Sequence, residues 1–520
     1  MKTRYTRWTC LLMALCLLMG LVLGCSGSAA QSATEPEQTA ESATTALSTE
    51  AVQSTATDEQ AKDGTPVGNP PEGTPPEGMG QPPAGERPEG TPPGGMGQPP
   101  AGGPGGGPGG PGGSSADIDY SGAVEITSAD SQTDQTYSTD TVDQSALLVA
   151  TSEAVTIANP TVTKSGSSNG GDSCNFYGLN ASILVKDGAN VTITGGTISS
   201  DASGANGIFC YGGNGGRNGA AGDGTTVTVR DTVITTTGSG SGGIMTTGGG
   251  VTYAYDLTVT TSGQSSAPIR TDRGGGTVYV DGGTYTSHGL GSPTIYSTAE
   301  IHVANASLTS NLSEGVCIEG KNSIELTDCD LTANNMKCNS NASFFDTIMI
   351  YQSMSGDADS GTSSFTMTGG TLTSKNGHVF HVTNTNAIIN LNGVTVVNEA
   401  GEGVLLSVCD DGWSGAGNVA TLNAKGQTLE GLLLVGSNAT LTLNLTDGSA
   451  FIGTVSGAIT NAKGATVSTE VGTVNVTLDG TSTWTLTGDT YVTSFTGNAS
   501  RVITNGYTLY VNGIAMTGTK

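Results

Sequence analysis

The sequence predicts an all-β fold, a single-stranded parallel β-helix (β-solenoid) with three short strands per coil, preceded by a disordered Pro/Gly linker. Three observations carry that prediction. A ten-residue apolar pattern recurs eight times, its copies are commonly 23 to 26 residues apart, and the chain has 81 glycines with only 5% aromatics.

The pattern is clearest in Val191-Thr-Ile-Thr-Gly-Gly-Thr-Ile-Ser-Ser, and it returns from Val227, Val278, Ile301, Ile324, Phe365 and Ile389, with a looser copy from Thr252 to Thr261. Positions one and three are apolar between polar neighbours, which describes a half-buried strand. Positions five and six are rich in Gly, Asp and Asn, the residues of a corner. Position eight is again apolar, so a second inward strand follows the corner. A third short apolar stretch begins after each decamer, at Ile208, Ile244, Ile269, Ile295, Val316, Ile348, Val379 and Val404.

Successive decamers start 36, 25, 26, 23, 23, 41 and 24 residues apart. The common step fits one turn of a three-sided parallel coil, and no unit can cover its own apolar face, so neighbours must stack. Irregular turns from Ser145 to Thr163 and from Val419 to Gly513 extend the same composition to on the order of fifteen coils. A β-sandwich also has short strands at intervals, but it predicts hairpins between equal partners, not one three-part unit in constant order.

Ahead of this domain lie two segments of other character. Lys2, Arg4 and Arg7 precede an apolar run from Cys10 to Leu23, which reads as an export signal too short to span a bilayer. Residues 26–115 have no hydrophobic periodicity, and within them Gly73-Thr-Pro-Pro-Glu-Gly-Met-Gly-Gln-Pro-Pro-Ala-Gly85 recurs almost unchanged from Gly90. Such a segment cannot bury enough apolar surface to offset its ordering entropy and reads as a disordered stalk. The expected organisation is therefore a signal over 1–25, a Ser/Thr then Pro/Gly stalk over 26–115 and a β-helix over 116–520.

Charge and cysteines narrow the function. With 18 basic and 45 acidic residues the formal charge is -27, which repels phosphate backbones and excludes nucleic acid as a partner. Six of the nine cysteines lie in the β-helix, with no CxxC pair and no zinc spacing; disulfides in one of fifteen connectivities and buried thiols both remain open.

Val22-Leu23-Gly24-Cys25 resembles the lipobox of bacterial lipoproteins, with Leu23 where those proteins carry a small residue. The resemblance implies that Cys25 is lipidated, that the protein is exported to the cell surface, and that lipid is its only membrane attachment. From Ala116 to Gly513 the repeat resembles the right-handed parallel β-helix (pectin-lyase-like) superfamily of pectate lyases, polygalacturonases and bacterial surface proteins. Against the polygalacturonase pattern, Gly377-His378 lacks the following glycine, and no Arg-Ile-Lys or Asn-Thr-Asp segment is present, so no catalytic residues are assigned.

The candidate ligand-binding residues lie on the third strand of each unit, at positions expected to point outward. They are Arg270, Tyr296, Glu319, Tyr351 and His381, with Asp272 and Lys321 at flanking corners. Tyrosine rings beside fixed charged groups suit a carbohydrate, whose C–H faces stack on rings while its hydroxyls pair with polar groups. Two long inserts add loops that the coil does not need, one over Gly212 to Ala221 and one over Met336 to Asp346, where Phe344 and Phe345 could fold back as a lid. Trp413, beside Asp410 and Asp411, is the tryptophan expected nearest the solenoid surface.

Asp357-Ala-Asp-Ser-Gly361 opens like a calcium loop, but Thr368 occupies position twelve, so an EF-hand is excluded and a looser structural calcium is the one cofactor left open. The expected function is a non-enzymatic adhesive or carbohydrate-binding surface lipoprotein whose partner is an extracellular glycan or host-surface ligand. The alternative is a polysaccharide-degrading lyase or glycoside hydrolase of the same superfamily.

Overall fold

The computed structural model describes residues 118–215 and 221–520. The chain winds through three parallel sheets in fixed order. The first sheet has 15 strands, from Ser121–Ile126 to Val502–Ile503; the second has 14, from Asp130–Thr133 to Ser494–Thr496; the third has 10, from Thr136–Thr139 to Thr395–Asn398. Each strand pairs with its counterpart one coil away, which is the parallel β-helix that the repeat predicts. Antiparallel pairing is confined, among the described residues, to Ile459–Thr460 with Thr466–Ser468 and Leu509–Val511 with Ile514–Ala515.

The decamer occupies the second and third sheets. Val191 and Ile193 pair with Val227 and Val229, Ile198 with Ile234, and Ile208 of the first sheet with Ile244. All eight side chains are at most 1% exposed, so each coil buries its aliphatic set against the coils on either side. At ~1.5–3 kcal/mol per buried aliphatic side chain, a lone coil would recover only part of the backbone entropy its ordering removes. Stacking makes the apolar column continuous.

Position five explains the choice of corner residue. Gly195, Asp231, Asp256, Gly282, Asn305, Asp328, Gly369 and Gly393 all have φ between 50° and 76°. Gly enters this left-handed region without penalty, and Asn and Asp enter it more readily than other residues. Position six follows with a second left-handed glycine in Gly196, Gly283 and Gly370.

The same logic uncovers a further copy. Val155-Thr-Ile-Ala-Asn-Pro-Thr-Val-Thr-Lys164 lies in full register with the Val191 decamer, with Asn159 at φ 49°. It reads as irregular in sequence because Pro160 replaces glycine at the corner. One coil earlier, Asp130 and Gln132 stand opposite Val155 and Ile157. Polar residues at these inward positions fit an end coil with no further rung to cover.

Three strands per coil hold as far as Asn398. Beyond it the third sheet ends, strands such as Asn418–Lys425, Thr428–Val435 and Ala439–Thr446 lengthen to eight residues, and coils alternate between two sheets until the last ones, where Thr490–Val492 and Leu509–Val511 pair in a small sheet of their own. Cys174, Cys210, Cys317, Cys329, Cys338 and Cys409 are free thiols, all buried except the half-buried Cys338. No helix among the described residues is long and apolar enough to cross a membrane.

Candidate functional site

The outward face of the first sheet carries the predicted residues in two rows. Arg270, Tyr296, Cys317, Met349, His381 and Ser407 stand opposite one another on successive coils. Glu319 pairs with Tyr351 in the adjacent row, to which Asp272 also belongs by its place two residues after Arg270. One stripe is expected from the sequence; two rows are found, because the inward residue that opens the strand is not equally far from each site residue.

Outward does not mean exposed on this sheet. Arg270, Asp272, Glu319 and His381 are 8%, 4%, 2% and 0% exposed, while Tyr296 and Tyr351 are half-buried. Flanking segments lie over them. Near the first coils Phe176 and Tyr177, on the short helix Asp172–Tyr177, pack on Leu148, Leu184, Phe209 and Met245. Towards the last coils Phe344 packs with Val404, Cys409, Leu434 and Ile459, so this residue of the second insert is the lid that the sequence raised.

Between these apolar covers lies a polar saddle. Glu319 accepts hydrogen bonds from the hydroxyls of Tyr296 (2.5 Å), Tyr351 (3.0 Å), Ser355 (3.4 Å) and Ser353. Arg270 pairs with Asp272 at 2.7 Å and donates to the Ser265 carbonyl at 3.2 Å and Asn175 Oδ1 at 3.4 Å. Arg273 donates through Nε to Asp357 at 3.1 Å and lies 4.3 Å from the Phe176 ring centroid. Trp413 is half-buried at the rim, its ring 5.0 Å from that of Tyr351. Lys321 is exposed and pairs with Asp359 at 3.0 Å, outside the network.

The electrostatics follow from this packing. Burial pushes the Asp272 carboxyl up to about 6 against the pull of Arg270, and burial also raises Glu319 against its hydroxyl donors. Burial and the charge of Glu319 hold the Tyr296 and Tyr351 hydroxyls well above their usual range. These groups are committed to one another, each carboxylate being paired from within the saddle.

His381 belongs to a different network. Its Nε2 is 3.3 Å from Asp411 Oδ2 and its Nδ1 is 2.7 Å from Ser407 Oγ. Ser407 is also 2.7 Å from His378 Nδ1, and His378 Nε2 is 3.7 Å from the exposed Glu402. Asp411 accepts the Ser343 amide at 2.8 Å. Serine, histidine and aspartate thus meet, but Ser407 and His381 are fully buried, with the Phe344 ring 4.7 Å from His381. No substrate reaches that hydroxyl; the network fastens the second insert and the 409–413 turn to the sheet. Burial lowers the His378 imidazole, which in turn holds the Glu402 carboxyl below its ordinary value.

An outward, partly exposed constellation on the second sheet went unread in the sequence. At position two of consecutive coils, Tyr253, Tyr279, His302 and Glu325 stand in register. The Tyr253 and Tyr279 rings stack at 5.2 Å and 9°, and Tyr279 and His302 at 5.0 Å and 10°. His302 is clasped by Glu300 at 2.8 Å and Glu325 at 3.0 Å. At position four, Arg230, Tyr255 and Asp281 align, with the Arg230 guanidinium 3.7 Å from the Tyr255 ring centroid. Tyr279 is 40% exposed, and no covering segment crosses this strip among the hydrogen bonds and ring contacts described. The signal was present: most outward positions of the decamers carry Thr or Asn, and here consecutive copies carry rings.

Cys25, the 26–115 stalk and the middle of the first insert lie outside the described residues. The acidic pair that suggested calcium is otherwise engaged, Asp357 with Arg273 and Asp359 with Lys321. In comparisons with protein-family models, curated proteins and solved structures, nothing matches this chain.

Proposed function

We propose that this chain is a non-enzymatic glycan-binding protein of the cell surface, a pectin-lyase-like β-helix held at the membrane by lipid on Cys25 and set away from it by the 26–115 stalk. The observation that carries the reading is the outward strip of Tyr253, Tyr255, Tyr279 and His302 with Arg230, Asp281 and Glu325, in which Tyr279, Arg230, Asp281 and Glu325 are exposed and the other rings half-buried. Three phenols on two successive coils, with the His302 ring on the third, are presented on a backbone too regular to rearrange, so little ordering cost opposes binding. A linear polymer with hydroxyls along its length would meet a ring or a charged group at each of these rungs. The saddle of Arg270, Asp272, Tyr296, Glu319 and Tyr351 supports the non-enzymatic half of the reading, since its carboxylates are saturated from within. Tyr351 and Trp413 at its rim are a second place where a sugar ring could rest.

The test is a glycan array probed with the mature full-length protein, followed by incubation of each bound polymer and analysis of the supernatant. Binding with the polymer left intact is expected. New reducing or unsaturated ends would establish the degradative alternative, and no binding to any glycan would remove the proposal.

A further inference from the structure

A second chemistry lies where the third sheet turns into the first. Val316, Ile348 and Phe380 are in register on the first sheet, and the residues two places before them are Glu314, Asp346 and His378. Two carboxylates therefore occupy the same corner on adjacent coils, whose backbones are ~4.8 Å apart. Glu314 is 4% exposed and Asp346 1%. Asn335, fully buried at the start of the second insert, lies against both: its Nδ2 is 3.3 Å from the Asp346 carbonyl, and its side chain hydrogen-bonds Glu314.

The hydrogen bonding of this corner does not close. Among the described residues neither carboxylate oxygen of Asp346 has a donor, and Asn335 Oδ1 has none either. Glu314 takes the Ser313 hydroxyl, and His378 turns its nitrogens to Ser407 and Glu402 instead. The remaining charged neighbour, Asp411, is of the same sign and accepts the Ser343 amide, so it supplies no donor. A buried carboxylate with no donor on either oxygen, beside a second buried carboxyl group, is costly, the more so if it is charged. A cation or a shared proton removes the imbalance, and the donor set separates the two.

We propose that Glu314, Asn335 and Asp346 form a buried binding site for a hard cation, calcium by its ligand chemistry. The ligands on offer are carboxylate and amide oxygens with no nitrogen or sulfur among them, and calcium accepts such mixed oxygen sets in irregular geometry, whereas magnesium demands a near-ideal octahedron and retains its waters. Among the described residues no three His, Cys, Asp or Glu side chains are grouped to hold a metal, and this site uses two carboxylates with an amide. Its position gives it a role. Asn335 and Asp346 bracket the second insert, so a cation between them clips the base of the loop whose Phe344 covers His378 and His381.

The test uses the mature full-length protein, stripped with chelator and melted in calcium chloride, magnesium chloride or sodium chloride at equal ionic strength, with bound metal counted by mass spectrometry. Calcium is expected to raise the melting temperature saturably, magnesium much less, and Asp346→Asn to abolish the calcium-specific rise. Asn335→Asp adds a charged ligand and should enlarge the rise; it serves as the decisive variant if Asp346→Asn fails to fold. The proposal is overturned if calcium leaves the wild-type melt unchanged, if Asp346→Asn keeps the full rise, or if Asp346→Asn is more stable than wild type at pH 7 in the absence of metal with no calcium effect in either, which would indicate a shared proton.

Discussion

Replacing Tyr279 by alanine separates a binding strip from a merely structural stack. The ring lies between Tyr253 at 5.2 Å and His302 at 5.0 Å, nearly parallel to both, and is 40% exposed. Aromatic pairs contribute ~0.5–1.5 kcal/mol beyond their buried area, and cross-strand pairs on an open sheet ~0.2–1 kcal/mol. Two such contacts at a half-wet site sum to about 1 kcal/mol. The inward neighbours Val278 and Val280 are 0% and 3% exposed and stay in place, so the coil itself keeps its packing. If the strip binds glycan, a central ring contact is worth at least 1.4 kcal/mol, or about tenfold in affinity. Urea denaturation of the variant is thus expected to shift modestly while affinity for the array-identified glycan, measured by calorimetry, falls tenfold or more. Unchanged affinity, or a stability loss of several kcal/mol that accounts for all lost binding, would refute the assignment.

Two further outcomes follow from buried charges. Lys164 is 0% exposed and its ammonium donates to the carbonyls of Thr141 (2.9 Å), Ser165 (2.5 Å) and Gly166 (3.0 Å), so Lys164→Met should cost roughly 2–4 kcal/mol and raise amide exchange across Ala154–Lys164 while later coils remain protected; uniform protection would count against it. Asp272 is held up at about 6, above the ~3.9 of an unfolded chain, so the fold binds this proton more tightly. Its contribution is complete below pH ~4 and is lost as pH rises through about 6, by roughly 3 kcal/mol. Denaturation profiles of wild type and Asp272→Asn should therefore diverge over that window, and parallel profiles would show that burial does not govern this carboxyl.

The interior of the coil was legible because it is written locally. Aliphatic residues at positions one, three and eight report burial directly, and position five reports a backbone conformation that admits few residues, so eight copies could be aligned without coordinates. The Val155 copy escaped because Asn159-Pro160 achieves the same corner by a different pair. The end coil at Asp130 escaped because an end coil has no need of the apolar signature. Burial of Arg270, Glu319 and His381 was illegible for another reason: their neighbours include residues tens of positions away, Asn175, Ser353 and Asp411, none with a periodic signature of its own.

One regularity in the spacing nevertheless foretells which face is covered. Between second-sheet and third-sheet strands the corner is always two residues, from Asp134-Gln135 through Gly195-Gly196 to Gly393-Val394. Every addition to the coil falls at the two corners that flank the first sheet. The Asp172–Tyr177 helix and the 336–346 insert enter before its strands, and the segments 352–361, 409–417 and 457–472 leave after them. Both corners open onto the first sheet, and the added segments pack over it, Phe176 and Tyr177 against Leu184 and Met245 and Phe344 against Val404 and Leu434. The first sheet is overlaid and its polar outward residues become a buried network, whereas Tyr279 on the second sheet stays 40% exposed. Variable spacing on either side of the first-sheet strands, set against an invariant spacing inside the decamer, is why the proposed glycan surface is placed on Tyr253, Tyr279 and His302 and not on the strand that carries Arg270.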